Sequence, residues 1–149
     1  SFGLSSSYLS SYSPSCQTYT WDGNPDISSI AQQTHKDLEL KNIRCYAENI
    51  DTHYPLFLSE NKPKIDLLFL DANHTYEATM RYIELSLPYL HNDSIVIVDD
   101  IYWSKEMTRC WKDLKERIEF TVSLDLYKYG ILFLRKEQLK QSFRLKGPF

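Results

Sequence analysis

The chain has 149 residues, of which 42% are apolar and 25% charged, with a formal charge of −3. Those values fit one globular domain, residues 1–149, with a real core, and they offer no basic face for nucleic acid. No apolar run approaches the roughly 20 residues a membrane helix needs, and the start lacks the basic n-region and apolar core of a signal peptide. The three cysteines, Cys16, Cys45 and Cys110, are widely spaced and odd in number. They fit reduced thiols in the cytoplasm better than a disulfide framework or a zinc site.

Taken in chain order, residues 3–12 read as a short helix with Leu4, Tyr8 and Leu9 on one face, closed by Pro14. Residues 17–21 alternate and read as a strand. Asp22-Gly23-Asn24 is a turn, and Pro25 opens a helix to about Leu38 with Ile27, Ile30, Ala31 and Leu38 inward. Residues 42–47 are a further strand candidate, and residues 51–59 a weaker helix interrupted at Pro55.

The central stretch is IDLLFLDANHTYEATMRYIELSLPYLHNDSIVIVDD, from Ile65 to Asp100. Two apolar runs each end abruptly in acid: Asp71 after the first, Asp99 and Asp100 after the second. Each run reads as a strand buried on both faces, and the segment from Tyr76 to Leu90 as a helix, with Pro88 in its last turn. A βαβ unit puts both strand ends on one edge of the sheet, where open α/β sheets bind ligands.

Ser104 then reads as an N-cap, and Met107, Cys110, Trp111, Leu114 and Ile118 as a helical stripe. Residues 120–126 and 130–135 suggest a terminal hairpin around Tyr127–Tyr129. The basic tail, residues 136–149, is expected to pack only in part. Helices and strands in this order give a three-layer α/β sandwich with a mostly parallel sheet and a C-terminal antiparallel hairpin.

These residues together resemble a known family. SFGLSS before a short helix resembles the back half of the glycine-rich loop of class I S-adenosylmethionine-dependent methyltransferases, which have a Rossmann-like fold. TYTWDGNP resembles their second-strand acid and the turn after it. IDLLFLDANHTYEAT and IVIVDDIYWS resemble the fourth- and fifth-strand ends of the small-molecule O-methyltransferase branch, of catechol type, and YKYGILFLRK its final antiparallel pair. The family's first strand and its acid have no counterpart, and there is no initiator Met. The chain is therefore expected to be a fragment, or to lack its preceding residues.

The resemblance implies methyl transfer from S-adenosylmethionine to a hydroxyl of a small molecule. Gly3 and Ser5 would lie along the cofactor's carboxypropyl part, although Gly-Leu-Ser is also an ordinary helix start. Asp22 would accept the ribose hydroxyls, or is a solvated turn residue. Glu48 would line the adenine, or is an exposed charge. Asp71 would neighbour the cofactor.

Asp71, Asp99 and Asp100 also match the places where some catechol-type enzymes hold a divalent cation, with Asp100 standing where Asn is usual. Three oxygen ligands suit Mg²⁺ or another divalent cation, and Asp99 or Asp100 could equally cap a turn. His74, with Asp71 beside it, is the candidate general base; a fourth metal ligand or a loop-orienting residue are its other roles. His35, His53 and His91 read as surface residues. Tyr76 and Trp103 would shape an aromatic pocket, or pack against the sheet.

Two other functions stay open. One is a methyltransferase fold that binds without catalysis. The other is a nucleotide-dependent oxidoreductase, disfavoured because the chain has four glycines, at 3, 23, 130 and 147, and no Gly-x-Gly-x-x-Gly. A homodimer is the expectation if a sheet edge or aromatic surface stays uncovered.

Overall fold

A computed structural model describes residues 2–145. They fall into two compact units, Ser1–Glu60 and Asn61–Phe149.

The first unit contains α1 (Leu4–Ser11), β1 (Thr18–Trp21), α2 (Pro25–Asp37), β2 (Ile43–Tyr46) and α3 (Ile50–Asn61, which ends one residue past the unit). β1 and β2 pair in parallel, Thr18 against Ile43 through Trp21 against Tyr46. The turn into α2 follows its chemistry. Asn24 caps the helix by accepting from the amides of Asp26 and Ile27, and Pro25 occupies the first turn, where a missing N–H costs nothing. α3 runs through Pro55 rather than breaking there, with Tyr54, Phe57 and Leu58 buried.

The inward faces of α1 and α2 are not those the periodicity suggests. Leu4 and Tyr8 are 64% and 80% exposed, whereas Ser7 and Ser10 are buried. Small serines let α1 lie close to its neighbours. Ser7 Oγ donates back to Gly3 O, the cap of its own helix, at 2.6 Å, while Ser10 Oγ reaches outside the helix to Asn42 Oδ1 at 2.8 Å. Asn42 Nδ2 in turn donates to the carbonyls of Ser10, Ser13 and Cys16. On α2, Ile30 and Leu38 are exposed, and Ser28, Ala31 and His35 are the buried residues.

His35 is thus a core residue, not a surface one. Its Nε2 lies 2.9 Å from Ser6 Oγ. Burial pushes its imidazole below the ordinary value, against a backbone contact from Gly3 that raises it. The folded protein therefore resists a proton that the unfolded chain accepts. The stability carried by neutral His35 is complete above about pH 6.5 and is lost as pH falls below that toward the depressed folded value. Melting temperature is expected to drop between about pH 7.5 and about pH 5.5, and His35→Gln to flatten that part of the profile. Identical profiles for the two proteins would refute this.

The second unit contains β3 (Ile65–Leu70), α4 (Tyr76–Ser86), a 3₁₀ turn (Leu87–Tyr89), β4 (Leu90–Val98), α5 (Lys105–Glu116), β5 (Val122–Asp125), β6 (Gly130–Phe133) and β7 (Gln141–Arg144). They form a sheet in the order β3-β4-β6-β5-β7. β3 and β4 are parallel, β6 is antiparallel to both β4 and β5, and β7 is parallel to β5. The α/β class, the parallel βαβ unit and the C-terminal hairpin are as expected.

Four details differ from expectation. The Tyr76–Leu90 helix stops at Ser86, because Pro88 diverts the chain into the 3₁₀ turn. β3 and β4 are not buried on both faces: Asp66 and Leu67 are exposed, and Ile95 and Ile97 are half-buried between buried Ser94, Val96 and Val98. The α5 stripe ends one residue early, since Ile118 lies past the helix and is 89% exposed. The tail contributes β7, all four residues of which are exposed; its last residues, 146–149, lie outside the described range.

The core of this unit lies between α4, α5 and the sheet. Thr75 and Ser104 cap the two helices, accepting from the amides of Ala78 and Met107. Tyr82, Ile83, Met107, Cys110, Trp111, Leu114 and Leu132 are all at most 1% exposed.

Candidate functional site

The acids at the ends of β3 and β4 do share one rim. The amide of Asp99 donates to Leu70 O at 2.9 Å, which ties the start of one loop to the end of the neighbouring strand. The amide of Ile101 donates to Lys128 O at 3.2 Å, which brings the β5–β6 turn to the same place. The rim therefore holds Asp71, His74, Asp99, Asp100 and Lys128.

Backbone strain concentrates there. Six described non-glycine residues have left-handed φ, and four belong to this rim and its turn: Asn73 (60°), His74 (37°), Asp100 (52°) and Tyr127 (69°). Asn, Asp and His tolerate this region, but a tyrosine rarely adopts it. Such conformations persist where surrounding contacts hold them, and they cluster at functional sites. The contacts are visible. His74 N donates to Ala72 O at 2.8 Å, Asn73 Nδ2 to Tyr82 Oη at 2.6 Å, and Tyr127 N to Asp125 Oδ1 at 3.0 Å.

His74 Nε2 lies 3.2 Å from Asp71 Oδ1. In the neutral imidazole the nitrogen facing a carboxylate carries the proton, which leaves Nδ1 with a lone pair. Both side chains are partly open to solvent, His74 29% and Asp71 45%.

Asp99 differs from its neighbours in being buried. Burial raises its pKa, the Asp100 amide bonding its Oδ1 at 2.8 Å opposes that, and the charges of Asp71 and Asp100 raise it further, with Lys128 acting the other way. The Lys128 ammonium stands 4.0 Å from Asp99 Oδ1.

These positions bear on a divalent cation. Among the described residues no group of three or more His, Cys, Asp or Glu is placed to hold a metal ion. Asp71 is engaged with His74 and Asp99 with Asp100 N and Lys128. The three carboxylates share the rim without converging as ligands, so their present arrangement does not fit a cation.

Beside the rim is an open hollow of about 520 Å³, lined by Tyr102, Trp103, Ser104, Lys105, Arg109 and Lys112 among others. Trp103 is 72% exposed and available to a ligand. Tyr76 is otherwise engaged: its hydroxyl donates to Asp113 Oδ2 at 2.8 Å, and Arg109 lies 4.2 Å over its ring. Tyr102 donates to buried Asp125, and that bond, with the Tyr127 amide and Arg144, outweighs burial and holds the Asp125 carboxyl below the usual range.

The other expected residues lie in the first unit. Gly3 is required by packing: φ is 84°, and a Cβ there would meet His35 Nε2 at 2.9 Å and Ala31 Cα at 3.1 Å. Ser5 is exposed in the first turn of α1. Asp22 follows β1, half-buried, with Oδ1 accepting from Asn24 N at 3.0 Å. Glu48 follows β2, its Oε2 3.5 Å from His53 Nε2.

His53 is half-buried rather than a surface residue. Its Nδ1 accepts from Trp21 Nε1 at 2.8 Å, within an aromatic group that includes Tyr46, Tyr54 and Phe57. Sequence reasoning missed this group, and the signal available was the recurrence of aromatics at the ends of two strands. It also missed Lys128, which reads as an ordinary solvated lysine in a turn. Among the described residues no helix is long and apolar enough to cross a membrane.

A family model described as a methyltransferase domain matches residues 1–101. No curated protein matches the chain at a significant level. Solved structures do. A putative caffeoyl-CoA O-methyltransferase from Staphylococcus aureus gives a TM-score of 0.76 at 18% identity, over 89% of this chain and 71% of its own. The O-methyltransferase from Bacillus cereus in complex with SAH gives 0.74 at 14%, over 89% and 70%. TomG from Streptomyces achromogenes, an O-methyltransferase involved in tomaymycin synthesis and solved with SAM, gives 0.72 at 15%, over 89% and 69%. At these identities the likeness is one of fold.

Proposed function

Because the chain belongs to the methyltransferase-domain family, we propose that it transfers a methyl group from S-adenosylmethionine to a hydroxyl of a small molecule. Residues 1–149 act as a single domain in this proposal. The observation that carries it is the Asp71–His74 pair on a strained strand-end rim. The O-methyltransferase structures with bound SAH and SAM are consistent with the choice of cofactor.

The residues present suit that cofactor. Asp22, an acid just past the end of β1, has the acceptor chemistry that vicinal ribose hydroxyls need. Glu48 follows β2, two positions past Tyr46, whose ring stacks on that of Trp21 with centroids 5.1 Å apart. Ser5 adds an open first helical turn beside Gly3.

When bound, S-adenosylmethionine supplies an electrophilic methyl carbon: the acceptor oxygen forms the O–C bond while the C–S pair returns to sulfur. His74 takes the hydroxyl proton on Nδ1, and Asp71 holds Nε2–H and steadies the imidazolium that results. Trp103 offers an aromatic wall for the acceptor. Three free thiols, Cys16, Cys45 and Cys110, fit a cytoplasmic setting.

Asp22→Ala is expected to raise the dissociation constant for S-adenosylmethionine about 10- to 100-fold, the loss of a charge-assisted pair. Titration calorimetry measures it. Unchanged affinity would remove Asp22 from the site, and no heat from the wild-type protein at millimolar ligand would overturn the cofactor assignment.

A further inference from the structure

We infer that Lys128, rather than a divalent cation, supplies the positive charge of the acidic rim. Three carboxylates share that rim, and a site of that charge ordinarily calls for a cation. The ammonium already lies 4.0 Å from the one that is buried, Asp99.

The backbone of the lysine is held beside the rim, although its side chain is 56% exposed. Lys128 N donates to Leu126 O at 2.8 Å, and Lys128 O accepts from Ile101 N at 3.2 Å, so its backbone is bound to the segment that follows Asp100. Its Nζ lies 5.4 Å from the centre of the Tyr129 ring, which adds a second attraction for positive charge.

A divalent ion would need the three carboxylates turned toward one point, with waters completing its shell. It would have to draw Asp71 from His74 and Asp99 from the Asp100 amide, and it would sit beside an ammonium that repels it. The rim is charge-balanced differently, with His74 beside Asp71 and Lys128 beside Asp99. If the rim also receives a methyl acceptor, which rests on the function proposed above, Lys128 is a positioning residue that draws the acceptor oxygen toward the acids' edge.

The test uses Mn²⁺ alone and the full chain, so it does not depend on methyl transfer. Electron paramagnetic resonance follows the free Mn²⁺ signal during titration. Wild-type protein is expected to leave that signal intact up to about 1 mM, the weak end of oxygen-ligated cation affinities. Lys128→Met should bind one Mn²⁺, and adding Asp99→Asn should abolish the binding. Lys128→Gln serves as a second variant, with circular dichroism confirming the fold of each. Stoichiometric Mn²⁺ binding by the wild type that Asp99→Asn removes would overturn the inference. So would lysine variants that bind no more Mn²⁺ than the wild type.

Discussion

Trp111→Ala is expected to cost about 3–5 kcal/mol of unfolding free energy, the range for deleting a large aromatic from a core. Few domains have more than two or three times that to lose. Trp111 is 1% exposed and lies on the buried stripe of α5 with Met107, Cys110 and Leu114. Its ring rests directly on the sheet. A Cβ added at Gly130, the first residue of β6, would meet Trp111 Cζ3 at 2.5 Å and two more ring carbons within 2.8 Å. Glycine is therefore chosen at 130 for space.

The pair makes a cycle. Gly130→Ala alone forces overpacking, at about 1–3 kcal/mol. In the double variant the alanine methyl enters room the indole has vacated, so the two losses should sum to more than the combined loss, with a coupling of about 1 kcal/mol or greater. Denaturant unfolding of the four proteins measures it. Strict additivity would mean that Trp111 and Gly130 do not share the contact.

That contact marks where the sequence is easy to read. The stripe at Met107, Cys110, Trp111 and Leu114 is apolar, regularly spaced and opened by a real cap at Ser104. Burial and periodicity agree there because the helix packs through large side chains. α1 follows another rule: it packs through serines, so its hydrophobic residues point outward and a search for an apolar face picks the wrong side. His35 is hidden for the same reason, since a polar residue among Ser6, Gly3 and Ala31 has no apolar signature. β7 has no alternation to find, because all four of its residues are exposed and its place is set by backbone pairing with β5.

The rim divides in the same way. Asp71, Asp99 and Asp100 were legible because each ends an apolar run, and strand ends in a parallel pair must fall on one edge. Their partners were not legible. Lys128 reaches Asp99 only through a hairpin turn 29 positions later, and nothing local distinguishes it from a solvated lysine. The resemblance to catechol-type enzymes implies a metal among the three acids; the fold places an ammonium and an imidazole beside two of them.

The second large effect falls on that imidazole. His74→Gln is expected to lower single-turnover methyl transfer by about 10²- to 10⁴-fold, the usual worth of a positioned general base, while leaving S-adenosylmethionine affinity within about twofold, since a base acts on the acceptor and not on the cofactor. Labelled cofactor with catechol as the acceptor probe gives the rate, and calorimetry the affinity. Glutamine keeps a polar group near Asp71 but cannot take a proton.

Asp71→Asn tests how the proposed base is held. The 3.2 Å contact to His74 Nε2 fixes which nitrogen carries hydrogen. An amide could present its NH₂ there and favour the other tautomer, turning N–H rather than a lone pair toward the acceptor. The rate should therefore fall even though both residues keep their shapes, and the double variant should be little worse than His74→Gln alone. A His74→Gln protein with undiminished rate would move proton removal to another group. Equal and independent losses from the two positions would mean that Asp71 acts on the cofactor rather than through His74.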